Sequence, residues 1–313
     1  MPDVLVAGGV NMDTTYRVRC IPAAGESVAV LGKSRCIGGK GINQAVAIRR
    51  SGLSVAIIGA TGLDADGKAI RAFLAGEDID ATHLAELSDK ETGRAIITVD
   101  KNAENIIIVD MGANAAADAS MIDQINDKLD GARYALANGE APWELVKRLF
   151  DAARLRRIPT VWNPSPMPQE RKALLKLTDL LIVNRTEAAE LAGTGINVDL
   201  NSLTPALRNF GPAEVVVTSG AQGSVIAVDQ QVHRIPAPQV IAVDPTAAGD
   251  TFLGYYISSR AEGMPPEAAG ARASCAAALC VQAEGASSSI PFDRDVARLF
   301  GRLRISCHGE QGE

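Results

Sequence analysis

The chain has 313 residues, 47% hydrophobic and 22% charged, enough for one large α/β domain or two average ones and with no bias toward disorder. A formal net charge of −6 without a basic stripe excludes a nucleic-acid binder, whose phosphate contacts need clustered Lys and Arg. No apolar stretch approaches the roughly 20 residues that span a bilayer, MPDVLVAGGVNMD carries no secretion signal, and Cys20, Cys36, Cys275, Cys280 and Cys307 are scattered. The expectation is therefore a cytoplasmic protein with no membrane span, no disulfide framework and no zinc site.

In chain order, VLVAGG (residues 4–9) reads as a short strand apolar on both faces, the type buried in a parallel sheet. NMD follows at once. Asn11 and Asp13 stand beyond a strand's carboxyl end, where open α/β sheets bind ligands and where an amide and a carboxylate could grip sugar hydroxyls; an Asx turn explains the same residues. TYRVRCI (15–21) alternates as an antiparallel strand with one wetter face does. In GGKGINQA (38–45), glycines permit close backbone approach to a small polar ligand and Lys40 and Asn43 add donors, although a plain turn has the same spacing.

SVAIIGAT (54–61) is a second buried strand, and GLDADGKA (62–69) after it nearly matches a phosphate-binding loop. The match fails: Ala69 lacks the hydroxyl that ligates Mg²⁺, and Asp64 and Asp66 put negative charge where phosphates would lie, so the stretch reads as an acidic helix start. RAIITVDKNAENIIIVD (94–110) reads as two strands joined by a polar KNAE turn. Together with TYRVRCI it forms a small β sheet, at approximately 12–36 and 92–110, suited to a lid or a dimerisation surface.

Further apolar runs, RYALAN, PTVWN, DLLIVN and EVVVTSG, are separated by segments of helical periodicity, which means βαβ units. NRTEAAEL (184–191) places Asn184 and Glu187 on one face of a first helical turn, able to hold a hydrated Mg²⁺ or to form a capping box. TSGAQG (218–223) is a polar, Gly-rich turn that would suit a nucleotide. VDPTAAGDTFLGYY (243–256) sets Ala247, Ala248 and Gly249 before Asp250 at a helix start. Either Asp250 caps that helix, or the bare N–H groups hold an anion with Asp250 beside them as a base. The last third contains two helices, one stopping at Gly263 and one near Gly285. All these polar stretches fall just after expected strands, so together they would line one rim of one sheet.

These motifs resemble the ribokinase-like sugar kinases, the PfkB family. GGKGINQAVA is similar to its N-terminal signature and VDPTAAGDTFLG to its C-terminal one, and NMD, TGLDADG, GANAA, NPSP, NRTE and TSGAQG have counterparts in the same order along nearly the whole chain. Within the family, GGKG-NQAVA and AAGDTF look most like the ribokinase branch.

The resemblance implies a single three-layer α/β domain over residues 1–313, a mostly parallel central sheet flanked by helices with a small β lid, lids of two subunits often clasping in a homodimer. It implies that Asn11, Asp13, Gly39, Lys40, Gly41, Asn43, Glu140 and Asp250 contact the sugar. Asn184 would organise the nucleotide's phosphates and Glu187 would meet Mg²⁺ through water; Thr218, Ser219, Gly220, Gly223 and Gly249 would hold ATP. Ala247, Ala248 and Gly249 would form the anion hole and Asp250 would be the base. Asp244, Thr246, Gly285 and Ser289 look like the family's monovalent-cation site, with K⁺ as activator. Two carboxylates near the sugar favour a neutral polyol, so the expected activity is ATP-dependent phosphorylation of a pentose, D-ribose at O5. Deoxyribose, a fructose-type hexose, a sugar acid or a nucleoside such as pseudouridine are rivals.

Two residues depart from the family pattern. Arg94 replaces a small apolar residue in a lid strand, where it would meet an acidic sugar if it pointed inward and be a solvated lid charge if outward. Met12 lies between two expected sugar ligands. A catalytically silent sugar- or nucleotide-binding regulator is the competing class, though a sensor has no need of Asp250 beside an intact anion-hole run. A nicotinamide-dependent oxidoreductase lacks G-x-G-x-x-G after the first strand.

Overall fold

The computed structural model describes residues 1–101, 104–125 and 129–309; Asn102 and Ala103 of the expected turn and the Cys307 side chain lie outside the described residues. The strands are β1 (Val4–Ala7), β2 (Asn11–Val18), β3 (Val30–Gly38), β4 (Val55–Gly62), β5 (Asp80–Leu87), β6 (Arg94–Val99), β7 (Asn105–Asp110), β8 (Tyr134–Asn138), β9 (Thr160–Asn163), β10 (Leu180–Asn184), β11 (Glu214–Thr218), β12 (Ser224–Val228) and β13 (Gln231–Ile235). The helices are α1 (Lys40–Arg50), α2 (Ala65–Gly76), α3 (Ser120–Gln124), α4 (Trp143–Leu155), α5 (Arg171–Leu175), α6 (Arg185–Ala192), α7 (Leu200–Leu207), α8 (Ala248–Ala261), α9 (Pro266–Cys280) and α10 (Asp293–Gly309).

Nine of these strands form one sheet in the order β13-β12-β11-β10-β9-β8-β1-β4-β5. It is parallel except for the antiparallel pairs β11–β12 and β12–β13 at one edge. The central strands are apolar on both faces because helices cover both. Val4 and Val6 pack with α1, α8 and α9 through Ile42, Val46, Tyr255 and Ala273, while Leu5 and Ala7 pack with α4 and α7 through Leu149, Phe150 and Leu203. This is the expected three-layer body.

From β1 the chain moves through β4 to β5 on one side, then returns to β8 on the other. The reversal of strand order therefore falls between β1 and β8, which is where open α/β sheets form their ligand crevice. α1 and α8 cross above it in unusually close contact: a Cβ on Gly254 would lie 2.4 Å from the Ala47 Cβ. That proximity brings the start of α8 to the first turn of α1.

The lid is a four-stranded sheet in the order β3-β2-β6-β7. Its β2 begins at Asn11, so NMD is neither an Asx turn nor a cap but the first residues of a strand that leaves the body. On the lid face away from Asp13, Ile96 pairs with Ile108 and Thr98 with Ile106, and these isoleucines are 37%, 62% and 48% exposed.

The GLDADGKA stretch is a cap, as its acidic residues required. Asp64 accepts the Gly67 N–H at 2.7 Å, and it also takes the Thr92 N–H and hydroxyl at 2.8 and 2.7 Å, tying the foot of the lid to α2. One expected boundary is corrected. α9 stops at Cys280, five residues before Gly285, because the chain turns there to bring Val281 O to the N–H groups of Val243 and Asp244, at 2.7 and 3.1 Å.

Candidate active site

Asp250 does not cap its own helix. It lies in the first turn of α8 with 6% exposure, yet no side chain caps that helix. Instead its two carboxylate oxygens accept hydrogen bonds from α1, Oδ1 from Gln44 Nε2 at 2.9 Å and Oδ2 from Asn43 Nδ2 at 3.2 Å. The N-cap, Ala247, adopts a left-handed conformation at φ 61°, an uncommon one for a residue with a Cβ. Of the first N–H groups, which have no acceptor within the helix, that of Ala248 reaches Pro245 O at 3.2 Å. A Cβ built on Gly249 meets nothing within 4 Å, so the helix start opens onto space where an anion would meet the positive end of the helix dipole.

The GGKG stretch supplies the opposite wall. Gly39 has φ +87°, and a Cβ there would lie 2.6 Å from Gly9 O, so only glycine lets α1 start this close to the end of β1. The Lys40 N–H then donates to Glu140 Oε2 at 2.8 Å. Burial raises the Glu140 carboxyl to about 7 against the opposing Lys40 N–H and charge. Lys40 itself is pushed up by the Asp250 charge, against burial, with Glu140 and Glu187 adding to the effect. At the lid junction, Asn11 Oδ1 accepts from Asn114 Nδ2 at 2.8 Å. Asp13 is 8% exposed, and burial raises its carboxyl to about 6 despite a hydrogen bond from the Ala95 N–H. Asp13 Oδ1 and Asn43 Oδ1 are buried acceptors with no partner among the described residues.

Further along the rim, Asn184 and Glu187 form the capping box of α6. Asn184 Oδ1 takes the Glu187 N–H, and Glu187 Oε2 takes the Asn184 N–H, each at 2.9 Å. Thr218, Ser219, Gly220 and Gly223 make a tight turn closed by Ser219 N–H to Gly223 O at 2.7 Å. The Ser219 hydroxyl is already engaged, accepting from Arg185 Nε and donating to Gln222 Oε1, each at 3.0 Å. Asp244 accepts from the Thr246 N–H at 2.9 Å and the Gly285 N–H at 3.0 Å. Burial alone would raise the Asp244 carboxyl, but hydrogen bonds from Thr246 and Gly285 outweigh it and hold it below the ordinary range. The Ser289 hydroxyl turns away from this group, donating to Ala286 O at 2.9 Å and lying 3.2 Å from Cys280 Sγ.

The two departures resolve. Met12 sits in the body's apolar core, on the opposite side of β2 from Asn11 and Asp13. Arg94 pairs with Glu91 and is 38% exposed, on the β6 face opposite Ala95, the residue that reaches Asp13; it is an outward lid charge. Residues not singled out from the sequence are Gln44, Asn114, Asn138, Asn163 and Arg185. Asn138 and Asn163 did carry a signal, since each is the polar residue that ends an apolar strand at the ligand-binding edge.

The model of the "pfkB family carbohydrate kinase" matches residues 1–293. The chain belongs to that family. A ribokinase of Haemophilus influenzae is 33% identical over 297 residues, covering 94% of this chain and 97% of that one. A bifunctional ribokinase/ribose-5-phosphate isomerase A of Fructilactobacillus sanfranciscensis is 34% identical over 98% of this chain, which spans only 57% of that protein. The structure of Arabidopsis thaliana ribokinase complexed with ribose and ATP superposes with a TM-score of 0.88 at 27% identity, covering 96% of this chain and 98% of that one. The fold is that of ribokinase, and membership of the family makes the chain a phosphotransferase acting on a sugar hydroxyl.

Proposed function

We propose that the chain transfers the γ-phosphoryl group of ATP to the primary hydroxyl of D-ribose, giving D-ribose 5-phosphate. The observation that carries this reading is Asp250, a buried carboxylate at a helix start that makes no bond to its own helix. Asp13, Asn43 and Glu140 supply buried acceptors for sugar hydroxyls; Asn11, Gly39, Lys40 and Gly41 complete the cup. Asp250 takes the proton from the attacking hydroxyl as the oxygen adds to the γ-phosphorus. The N–H groups of Ala247 and Gly249, joined by that of Ala248 when it leaves Pro245 O, then face the charge that gathers on the phosphoryl oxygens, an effect whose loss typically costs about 3 to 4 kcal/mol of transition-state stabilisation. Thr218, Ser219, Gly220 and Gly223 hold the nucleotide by backbone groups, beside Asn184.

Ribose is favoured over an acidic sugar because Asp13 and Glu140 would repel an anion and Arg94 is committed to Glu91 on the other lid face. The relatives named as ribokinases support the same choice. Among the described residues no cluster of acidic, His or Cys side chains could hold a metal directly, and Glu187 gives one oxygen to its capping box. Mg²⁺, which neutralises phosphate charge, would therefore be held by Glu187 through water, as suits an ion that keeps much of its hydration. For K⁺, the carboxylate of Asp244 with the backbone oxygens of Thr246, Gly285 and Ser289 would be the candidate ligands, since the Ser289 hydroxyl is engaged with Ala286 O. The exposed Ile96, Ile106 and Ile108 face suits a homodimer built lid to lid. No helix of the described residues is long and apolar enough to cross a membrane, and free thiols at Cys36, Cys275 and Cys280 fit a cytoplasmic setting.

The test is coupled ADP formation with ATP, Mg²⁺ and K⁺ against ribose, 2-deoxyribose, fructose, a sugar acid and pseudouridine. Ribose is expected to give the highest kcat/KM, and Asp250→Asn to lower kcat by roughly 10²- to 10⁴-fold while ribose still binds. Preference for an anionic sugar, or full turnover in Asp250→Asn, would overturn the reading.

A further inference from the structure

Among the described residues, α6, α8 and α10 carry a carboxylate at the third helical position, Glu187, Asp250 and Asp295, and the first two of these meet different fates. In α6, Glu187 reaches back to the N–H of its own N-cap, Asn184, at 2.9 Å, the usual capping-box arrangement. In α8, Asp250 holds the same position relative to Ala247 and makes no such bond. A carboxylate that did reach back there would occupy the N–H groups that a transferring phosphoryl group needs.

The difference lies in α1. Gln44 has no solvent exposure, and its carboxamide is engaged from three directions. Nε2 donates to Asp250 Oδ1 at 2.9 Å and to Asn163 Oδ1 at 3.1 Å, and Oε1 accepts from Asn138 Nδ2 at 3.0 Å. The orientations of Gln44, Asn163 and Asn138 are each dictated by a group with only one role. The Asp250 carboxylate can only accept, the Ile182 carbonyl fixes Asn163 by taking its Nδ2 at 2.9 Å, and the Glu140 N–H fixes Asn138 by donating to its Oδ1 at 3.0 Å. Gln44 is therefore set, through Asn138 and Asn163, by two backbone groups, the Glu140 N–H just after β8 and the Ile182 carbonyl in β10. Asn43 is not: it gives Asp250 one longer bond and keeps a buried acceptor unpartnered, as a residue facing the sugar does.

We propose that Gln44 is a positioning residue for phosphoryl transfer: it holds the Asp250 carboxylate against the crevice and away from the N–H groups of its own helix. This rests on the reading of Asp250 as the base. The remaining titratable groups that face Asp250 are Lys40, Glu140 and Cys280.

Gln44→Leu keeps the volume and removes the donor, and Gln44→Glu keeps the shape but offers a donor only when protonated. For Gln44→Leu, kcat with ribose is expected to fall about 10- to 100-fold, the usual effect of losing a hydrogen bond to a charged group, with calorimetric ribose affinity within about threefold of the parent. In an Asp250→Asn background the same change should add little, because the two residues act as a unit. For Gln44→Glu, two carboxyls share the site, so the ratio of its kcat to that of the parent, whose own Glu140 titrates near 7, should rise several-fold from about pH 8 to pH 6, where a proton restores the donor. Thermal unfolding confirms that each variant is folded; should Gln44→Leu not fold, the pH profile of Gln44→Glu decides. A folded Gln44→Leu with parental kcat, a loss fully additive with Asp250→Asn, or a Gln44→Glu profile parallel to the parent would each overturn the proposal alone. Full turnover in Asp250→Asn would overturn the assignment of the base and this proposal with it.

Discussion

Replacing Asp13 by Asn tests whether the sugar cup is built against stability. Burial raises the Asp13 carboxyl from 3.8 to about 6, opposed only by the Ala95 N–H. Between those values the folded chain keeps a proton that the unfolded chain has released, so stability falls as pH rises through that window, and the penalty is complete above it. At about 1.4 kcal/mol per pH unit, the gap amounts to about 3 kcal/mol at pH 8 and, by the same linkage integral, about 1 kcal/mol at pH 4.5. Asp13→Asn removes the ionisation and nothing larger. The ligand-free variant should therefore gain about 2 kcal/mol more, relative to the parent, at pH 8 than at pH 4.5, whatever change in packing is common to both. Urea unfolding at the two pH values measures it. An equal offset at both, or a greater advantage in acid, would refute the argument that a buried, under-partnered charge is what the site carries. The same variant should bind ribose about 10- to 100-fold more weakly, since it loses a charge-assisted acceptor.

Other substitutions separate function from fold. Gly249→Ala adds a Cβ in open space at a helical position, so stability should stay level or rise by up to about 1 kcal/mol while kcat falls by roughly 10-fold or more, read from unfolding and steady-state kinetics on the same preparation. Arg94→Ala removes a surface pair worth about 0.2 to 1 kcal/mol and should leave kcat/KM for ribose within about twofold. A shift of preference toward acidic sugars on adding or removing Arg94 would contradict its outward placement.

Much of this was legible in the sequence because the central strands are apolar on both faces. Four-residue runs such as VLVA and TVWN can bury no other way, and the helical segments between them leave a parallel sheet as the consistent arrangement. β5 was not legible: DATHLAEL lies at the sheet edge with mixed burial and carries no clean alternation. The β12–β13 hairpin was missed for a different reason, since its turn uses Asp229 at φ 53° rather than the Asn-Gly or Asp-Gly that announces such a connection. At the candidate site, Gly39, Lys40, Asn43, Ala247, Ala248, Gly249 and Asp250 stood in small-residue stretches that departed from local rules. Asn138 and Asn163 carried only the weak signal of polar strand ends, and Gln44 none; the hydrogen bonds that join them to Asp250 arise only where β8, β9 and α1 meet, which no spacing along the chain reports.

The site's charges also constrain one another, and this gives a prediction of opposite sign to that for Asp13. Lys40 is held protonated by Asp250 first, then by Glu140 and Glu187, against burial. Glu140, which burial raises to about 7, is in turn held down by the Lys40 N–H and charge. Lys40→Met keeps the backbone N–H but removes the cation, leaving Asp250 and Glu140 as neighbouring carboxylates with no counter-charge. Without the Lys40 charge, which holds it down in the parent, Glu140 should titrate above about 7, and the loss should be greatest at pH values above that point. Below it Glu140 takes up a proton and relieves the repulsion, so the loss should be smaller at pH 6 than at pH 8. Asp13→Asn thus gains ground on the parent as pH rises, whereas Lys40→Met loses it. Unfolding curves for the two variants at pH 6 and pH 8 would test both signs together. Parallel pH dependence in the two would show that Lys40 does not couple to Glu140, and would remove the electrostatic link between the sugar cup and the helix start that carries the base.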